Sequence, residues 1–214
     1  MELDEHEQGE RVRTWLRQNG GSLILGIALG LGLVFGWKWW QGRGETHQQE
    51  AAIQYQALAD AVTAKDAAKV QAFASQLADK YADTAYASLA RLRHAAFLQE
   101  SGKTEEAIKV LQVAPAHERE DIAEIRQLRL ARLWLVAGKP AEAAKIVDAM
   151  AKTRYPGIAA ELRGDIAAAK GEREAARKAY ENALTHLDQA AATRQLVELK
   201  LIDAGGQPPA KPET

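Results

Sequence analysis

Hydrophobic and polar positions divide this chain into two unlike parts. From Leu23 to Trp37 it runs LILGIALGLGLVFGW, fifteen residues without a charge or a strong hydrogen-bonding side chain. Taken from Ser22 to Trp40 as a helix, the stretch would be about 28 Å long, near the roughly 30 Å hydrocarbon core of a bilayer. Apolar side chains on every face exclude an ordinary amphipathic surface helix. The far end, Trp37-Lys38-Trp39-Trp40, suits the headgroup level, where indoles and snorkelling lysines settle. No Ala-x-Ala-like cleavage site follows, because Trp39, Trp40 and Arg43 stand in its place. The segment therefore reads as an uncleaved anchor.

After the anchor the period becomes that of amphipathic helices. Ala51, Tyr55, Leu58 and Val62 trace one stripe, and Val70, Phe73, Ala74, Leu77 and Tyr81 trace the next. These predict helices over 50–63 and 67–81 with Ala64-Lys65-Asp66 as the turn. Further breaks fall at Gly102, Gly138 and Gly171. The first interval is a little longer and the second a little shorter than the roughly 34-residue period of tetratricopeptide hairpins. The register is sharper than the spacing. Five residues after each glycine stands alanine (Ala107, Ala143, Ala176), and nine after it a larger apolar residue (Leu111, Val147, Tyr180). Twelve after come Ala114, Met150 and Ala183, and seven before come Ala95, Ala131 and Gly164. Small residues at these places let paired helices approach, and the larger one fills the gap between hairpins.

The predicted fold is thus all-α, a tetratricopeptide-like helical-hairpin solenoid preceded by a single transmembrane helix. Residues 1–21 form a cytoplasmic N-terminal segment, 22–40 the anchor, 41–50 a polar juxtamembrane linker, 51–204 the repeat domain and 205–214 a flexible tail. A closing helix over 188–203 is expected to present a polar outer face, as terminal repeats do.

Charge sets the orientation. Arg11, Arg13 and Arg17 precede the span and Lys38 and Arg43 follow it, so the positive-inside rule keeps the N-terminus in the cytoplasm. Overall, 28 lysines and arginines balance 29 aspartates and glutamates, which leaves no electrostatic footprint for nucleic acid. The absence of cysteine excludes disulfides and thiolate metal sites.

The search for chemistry finds no catalytic, cofactor-binding or metal-binding set. Gly102-Lys103-Thr104 echoes the end of a phosphate-binding loop, but the earlier glycine that loop needs would fall at Phe97. The histidines offer no i,i+4 pair, and the acidic run Glu118–Asp121 suits the first turn of a helix over 121–137. The chain is therefore expected to bind rather than to catalyse. Stacked hairpins offer a concave face lined by their first helices, and here it would carry Leu89, Leu92, Gln99, Leu128, Arg132, Leu135, Glu161 and Asp165. Within the span, Gly26-x3-Gly30 and Gly32-x3-Gly36 supply the small-x3-small spacing that lets membrane helices approach.

Several segments together resemble the YfgM-type ancillary subunit of the bacterial Sec translocon. Trp15-Leu-Arg-Gln-Asn-Gly20 through Gly36-Trp-Lys-Trp-Trp-Gln41 is similar to that family's anchor. Glu161-Leu-Arg-Gly-Asp-Ile166, Gly171-Glu and Ala176-Arg-Lys-Ala-Tyr-Glu-Asn-Ala-Leu184 resemble its last repeat. Lys80-Tyr-Ala-Asp-Thr-Ala-Tyr-Ala87 matches its KYPDSPYA-like turn with Ala82 in place of proline, and Arg91 and His94 depart from the repeat consensus at core-type positions. The resemblance implies a single-pass type II protein of the bacterial inner membrane with its repeats in the periplasm. It further implies association with SecYEG and the membrane-anchored chaperone PpiD, in aid of newly exported polypeptides, and brings no catalytic residues or cofactor. The same physics would also serve a membrane-tethered scaffold for another envelope assembly or regulator.

Overall fold

A computed structural model describes residues 2–150 and 152–209. Among them are nine α-helices and no strand: α1 Glu2–Thr63, α2 Ala67–Lys80, α3 Ala85–Glu100, α4 Thr104–Gln112, α5 Glu120–Val136, α6 Pro140–Ala149, α7 Pro156–Ala169, α8 Arg173–His186 and α9 Arg194–Asp203. The chain forms two compact units, Met1–Glu50 and Ala51–Thr214.

In the first unit every side chain from Gly21 to Lys38 is exposed, whichever way it points. The stretch long and apolar enough to cross a membrane is Trp15–Lys38, 24 residues with a mean hydropathy of 1.8. It begins earlier than Ser22 because Trp15 and Leu16 extend the apolar run. Residues 41–50, expected as a linker, are helical. Their two glycines lower helix propensity by about 1 kcal/mol each, but no proline interrupts the backbone ladder. The side chains of Arg11, Trp39, Trp40 and Arg43 lie outside those described.

The second unit is a stack of helical hairpins. The end of α1 pairs with α2 across the turn expected at Ala64–Asp66. Lys65 there takes a positive φ of 55°, and the Asp66 carboxylate accepts the Lys69 amide at 3.1 Å, capping α2. Three more hairpins turn at the predicted glycines, with φ of 77°, 70° and 78°. At each, the residue after glycine donates its amide five positions back: Lys103 to Leu98, Lys139 to Trp134, Glu172 to Ala167. This paired-bond geometry closes a helix with a left-handed residue that glycine adopts without strain. Gly205 repeats it one full period after Gly171, with φ 87° and Gly206 donating to Leu201. α9 therefore ends as the first helix of each preceding hairpin ends. The remaining tail residues 210–214 lie outside those described.

Packing follows the predicted sizes. Ala95 shares a core with Leu111, and Ala131 shares the next with Val147. In the third hairpin the large residue is Tyr180 and the small one Gly164. A Cβ on Gly164 would lie 2.3 Å from the tyrosine ring, so only glycine fits beneath it. Helix α5 is apolar on two sides because it serves two cores: Ile122, Leu130 and Leu133 pack with α3–α4, and Leu128 and Ala131 with α6–α7.

Three features depart from the sequence reading. Ala114 is exposed, because α4 ends at Gln112 and Pro115 cannot prolong it. Residues 188–193 form turns rather than the start of the closing helix, since the chain must reverse there between α8 and α9. The outer face of α9 is not polar: Leu196, Leu199 and Ile202 are 50%, 60% and 49% exposed.

The hairpins are also joined by arginines that the apolar pattern does not announce. Arg126 on α5 donates Nη1 to the Leu111 carbonyl at the end of α4 at 2.8 Å. Arg163 on α7 donates to Val147 at the end of α6 at 3.1 Å. Arg194 at the start of α9 reaches Leu184 and Leu187 at the end of α8, at 3.2 and 2.8 Å. Leu111 and Leu184 lie in the last turns of α4 and α8, whose carbonyls a helix leaves without a donor of its own. The Val147 carbonyl, by contrast, also accepts the Met150 amide. Each arginine places positive charge at the negative end of a helix dipole. Arg91, at its core-type position, does the same within its own hairpin, to Val110 at 3.1 Å.

Candidate interaction surface

The first helices of the hairpins, α3, α5, α7 and α9, supply the face to which the sequence assigns partner binding. The structure sorts its eight residues by register. Leu92, Leu128 and Glu161, each ten positions before a turn glycine, are 6%, 4% and 4% exposed. That position faces the seam between neighbouring hairpins and not the open surface. Leu89, Leu135 and Asp165 are half-buried, and only Gln99 and Arg132 are open. One step further round the helix, nine before the glycine, the surface is reached in α5 by Arg129. The signal for it was its i,i+3 spacing from Arg132, which sets both on one side of α5.

Between α3 and α5 lies a hollow of about 330 Å³. Its floor and one wall are Leu92, Ala95, Ala96, Leu111 and Leu133, and its polar rim is Gln99, Arg129 and Arg132. Arg129 donates one long bond, 3.4 Å, to the Leu92 carbonyl. Farther along the stack a chain of ion pairs ties three helices together. Arg132 on α5 meets Glu161 on α7 at 3.2 Å, and Lys200 on α9 meets Glu161 at 2.7 Å and Asp165 at 2.8 Å. Tyr180 donates its hydroxyl to Asp165 at 2.9 Å. Burial works against the Lys200 charge, but the bonds to Asp165 and Glu161 outweigh it and raise its pKa. Burial first and the Asp165 charge second hold the Tyr180 hydroxyl protonated. Glu161 and Asp165 are thus matched by cations of this same chain. Lys200 stands two helices beyond Glu161 and carries no local sequence signal for that role.

The acidic run before α5 is likewise structural. Glu118 binds Arg126 with both oxygens, at 3.1 and 2.9 Å, and the side chains are 5% and 8% exposed. Asp121 pairs with Arg119 at 2.9 Å and Glu120 with Arg154 at 2.8 Å. Glu124 accepts the Thr153 hydroxyl at 2.6 Å and the Arg154 amide at 2.8 Å, bonds that lower its pKa and clamp α5 to the segment before α7. Among the described residues no three histidines, aspartates or glutamates converge as metal ligands. The span glycines stand apart: a Cβ built on Gly26, Gly30, Gly32 or Gly36 meets nothing within 4 Å.

An anchor-length apolar helix and a hairpin stack closed by left-handed glycines define a membrane-anchored tetratricopeptide-like protein. The chain belongs to the tetratricopeptide repeat-like domain family, whose profile matches residues 13–206. It is 29% identical over 202 residues to the ancillary SecYEG translocon subunit of Escherichia coli (strain K12), covering 92% of this chain and 95% of that protein. Proteins of the same name from Haemophilus influenzae and Aggregatibacter actinomycetemcomitans are 29% and 26% identical, over 93% of this chain and 97% of each. The likeness takes in both units, the span as well as the repeats.

Proposed function

We propose that this chain is a non-enzymatic, membrane-anchored interaction protein that serves the Sec translocon as an ancillary subunit. The observation that carries the reading is the extent of the likeness: three proteins named ancillary SecYEG translocon subunit match anchor and repeats together. An isolated hairpin motif would carry no such weight, because helical repeats recur in unrelated proteins. The arginines before the span support a type II topology in the inner membrane, with the repeats in the periplasm. In this arrangement the glycine face of Gly26, Gly30, Gly32 and Gly36 docks against a membrane helix of SecYEG. The open face of α3 and α5 meanwhile holds a polypeptide, in keeping with the family resemblance that names the chaperone PpiD and newly exported chains as partners. Two weak contacts on one tether reinforce each other, since the second becomes effectively intramolecular.

The test uses the full chain in living cells with a photocrosslinking amino acid at Val34 or at Gln99. Adducts to a SecYEG component from Val34 and to a periplasmic polypeptide from Gln99 are expected. Protease added to spheroplasts should also digest the repeats. Protected repeats, or a reproducible set of adducts without any Sec component, would overturn the reading.

A further inference from the structure

We infer that the hollow between α3 and α5 is a socket for an acidic side chain set among apolar ones on a polypeptide partner. The inference rests on the reading of this face as the partner-binding surface. Of the residues lining the hollow only two are charged, and both are arginines, Arg129 and Arg132. The carboxylates paired along the stack on α7 offer them little neutralisation. Glu161 is shared between Arg132 and Lys200, and Asp165 between Lys200 and the Tyr180 hydroxyl. Arg93, nine positions before the turn glycine that follows α3, adds a third cation to this stretch, its guanidinium 5.3 Å from the centre of the Tyr55 ring. The α3–α5 part of the face is therefore a patch of surplus positive charge.

The arginines have donors to give. A guanidinium carries five N–H groups, whereas Arg129 makes one long bond to a carbonyl and Arg132 one bond to Glu161. The floor beneath them, Leu92, Leu111 and Leu133, is buried and apolar, which strengthens a charge-assisted bond at its rim. The volume of about 330 Å³ suits a side chain and its neighbours, and the Ala95–Ala96 wall leaves room for apolar flanks. A lysine-rich segment would meet like charge at the rim, and a wholly apolar one would leave it without a partner.

The experiment uses the full chain in nanodiscs of phosphatidylcholine and two fluorescein-labelled peptides. One is Gly-Ala-Leu-Glu-Leu-Glu-Leu-Ala-Gly, and its twin carries glutamine in place of both glutamates. The acidic peptide should bind about ten-fold more tightly than the twin, as charge-assisted bonds imply. The preference should vanish in R129Q and reverse, in favour of the glutamine twin, in R129E. Arg129 is exposed, and circular dichroism will show whether each variant keeps the wild-type fold. Equal binding of the two peptides, or a preference that survives R129Q in a folded protein, would refute the socket. Crosslinking from Gln99 tells this failure from that of the wider reading: polypeptide adducts that ignore R129E sink the socket alone, and no adducts at all sink the face.

Discussion

The span and the third hairpin both depend on glycine, and for opposite reasons. In Gly26, Gly30, Gly32 and Gly36 the missing Cβ faces open space. In Gly164 it makes room for the ring of Tyr180, which a methyl group would overlap. The same contrast runs through the apolar residues. Those of the span are exposed on every side, whereas those of α5 are divided between two cores. A composition that is satisfied inside the repeat unit is unsatisfied in the anchor, and that difference marks the surroundings each part requires. Apart from the outer stripe of α9, the repeat unit carries its complement within itself; the anchor looks for it outside.

The contrast can be broken most strongly at the buried ion pair. E118Q leaves Arg126 without its carboxylate and close to Arg91, whose own pKa is already lowered by burial and by the Arg126 charge. Breaking such a pair should cost the repeat unit about 3–5 kcal/mol. A urea titration of the full chain in detergent, followed by circular dichroism, would read this as a large drop in midpoint. Next comes G164A, an overpacking change expected to destabilise by about 1–3 kcal/mol. Adding Tyr180→Val in the same chain recreates the Ala131–Val147 pairing of the hairpin before and should recover part of the loss. No recovery would mean that the clash is not the cause.

A smaller effect belongs to His94. Burial holds the imidazole pKa below its usual 6.5 against the opposing pull of the Glu106 charge, with a smaller push in the same direction as burial from Arg91. The unfolded chain then takes up a proton near pH 6.5 that the folded chain refuses. The stability contributed by neutral His94 is thus complete above pH 6.5 and is lost as pH falls through the lower folded value. Between pH 7 and 5 the midpoint of the wild type should fall, and that of H94L should fall less. The smallest effect on folding is expected in the span. Gly30→Ile together with Gly32→Ile should leave the midpoint of the repeat unit within about 0.5 kcal/mol, as substitutions at open positions do. The same pair should weaken recovery of SecYEG with the chain, because added bulk there blocks close helix approach. Full recovery would reduce the anchor to a tether.

The glycine turns were legible in the sequence because a left-handed residue leaves little choice of amino acid. The small and large positions were legible because packing volume is a property of single residues. What escaped was relational. Arg126, Arg163 and Arg194 are unevenly spaced along the chain, and their acceptors are backbone carbonyls, which have no sequence identity. Leu92, Leu128 and Glu161, expected on the concave face, are buried in the structure. Each is about 100° from its neighbour on the helix, an offset that periodicity alone does not resolve against a second packed surface. For the same reason α9, whose stripe of Leu196, Leu199 and Ile202 lies opposite Val197 and Leu201, could not be told from a helix buried on both sides.

The arginine bridges give the solenoid a direction in time. Arg126, Arg163 and Arg194 all reach backward, from a helix made later to the carbonyl end of one made earlier. As the chain emerges from its N-terminus, the carbonyl ends of α4, α6 and α8 gain these arginine donors only when the following helix arrives. The stack is built like a course of tiles, each row fastened by the next.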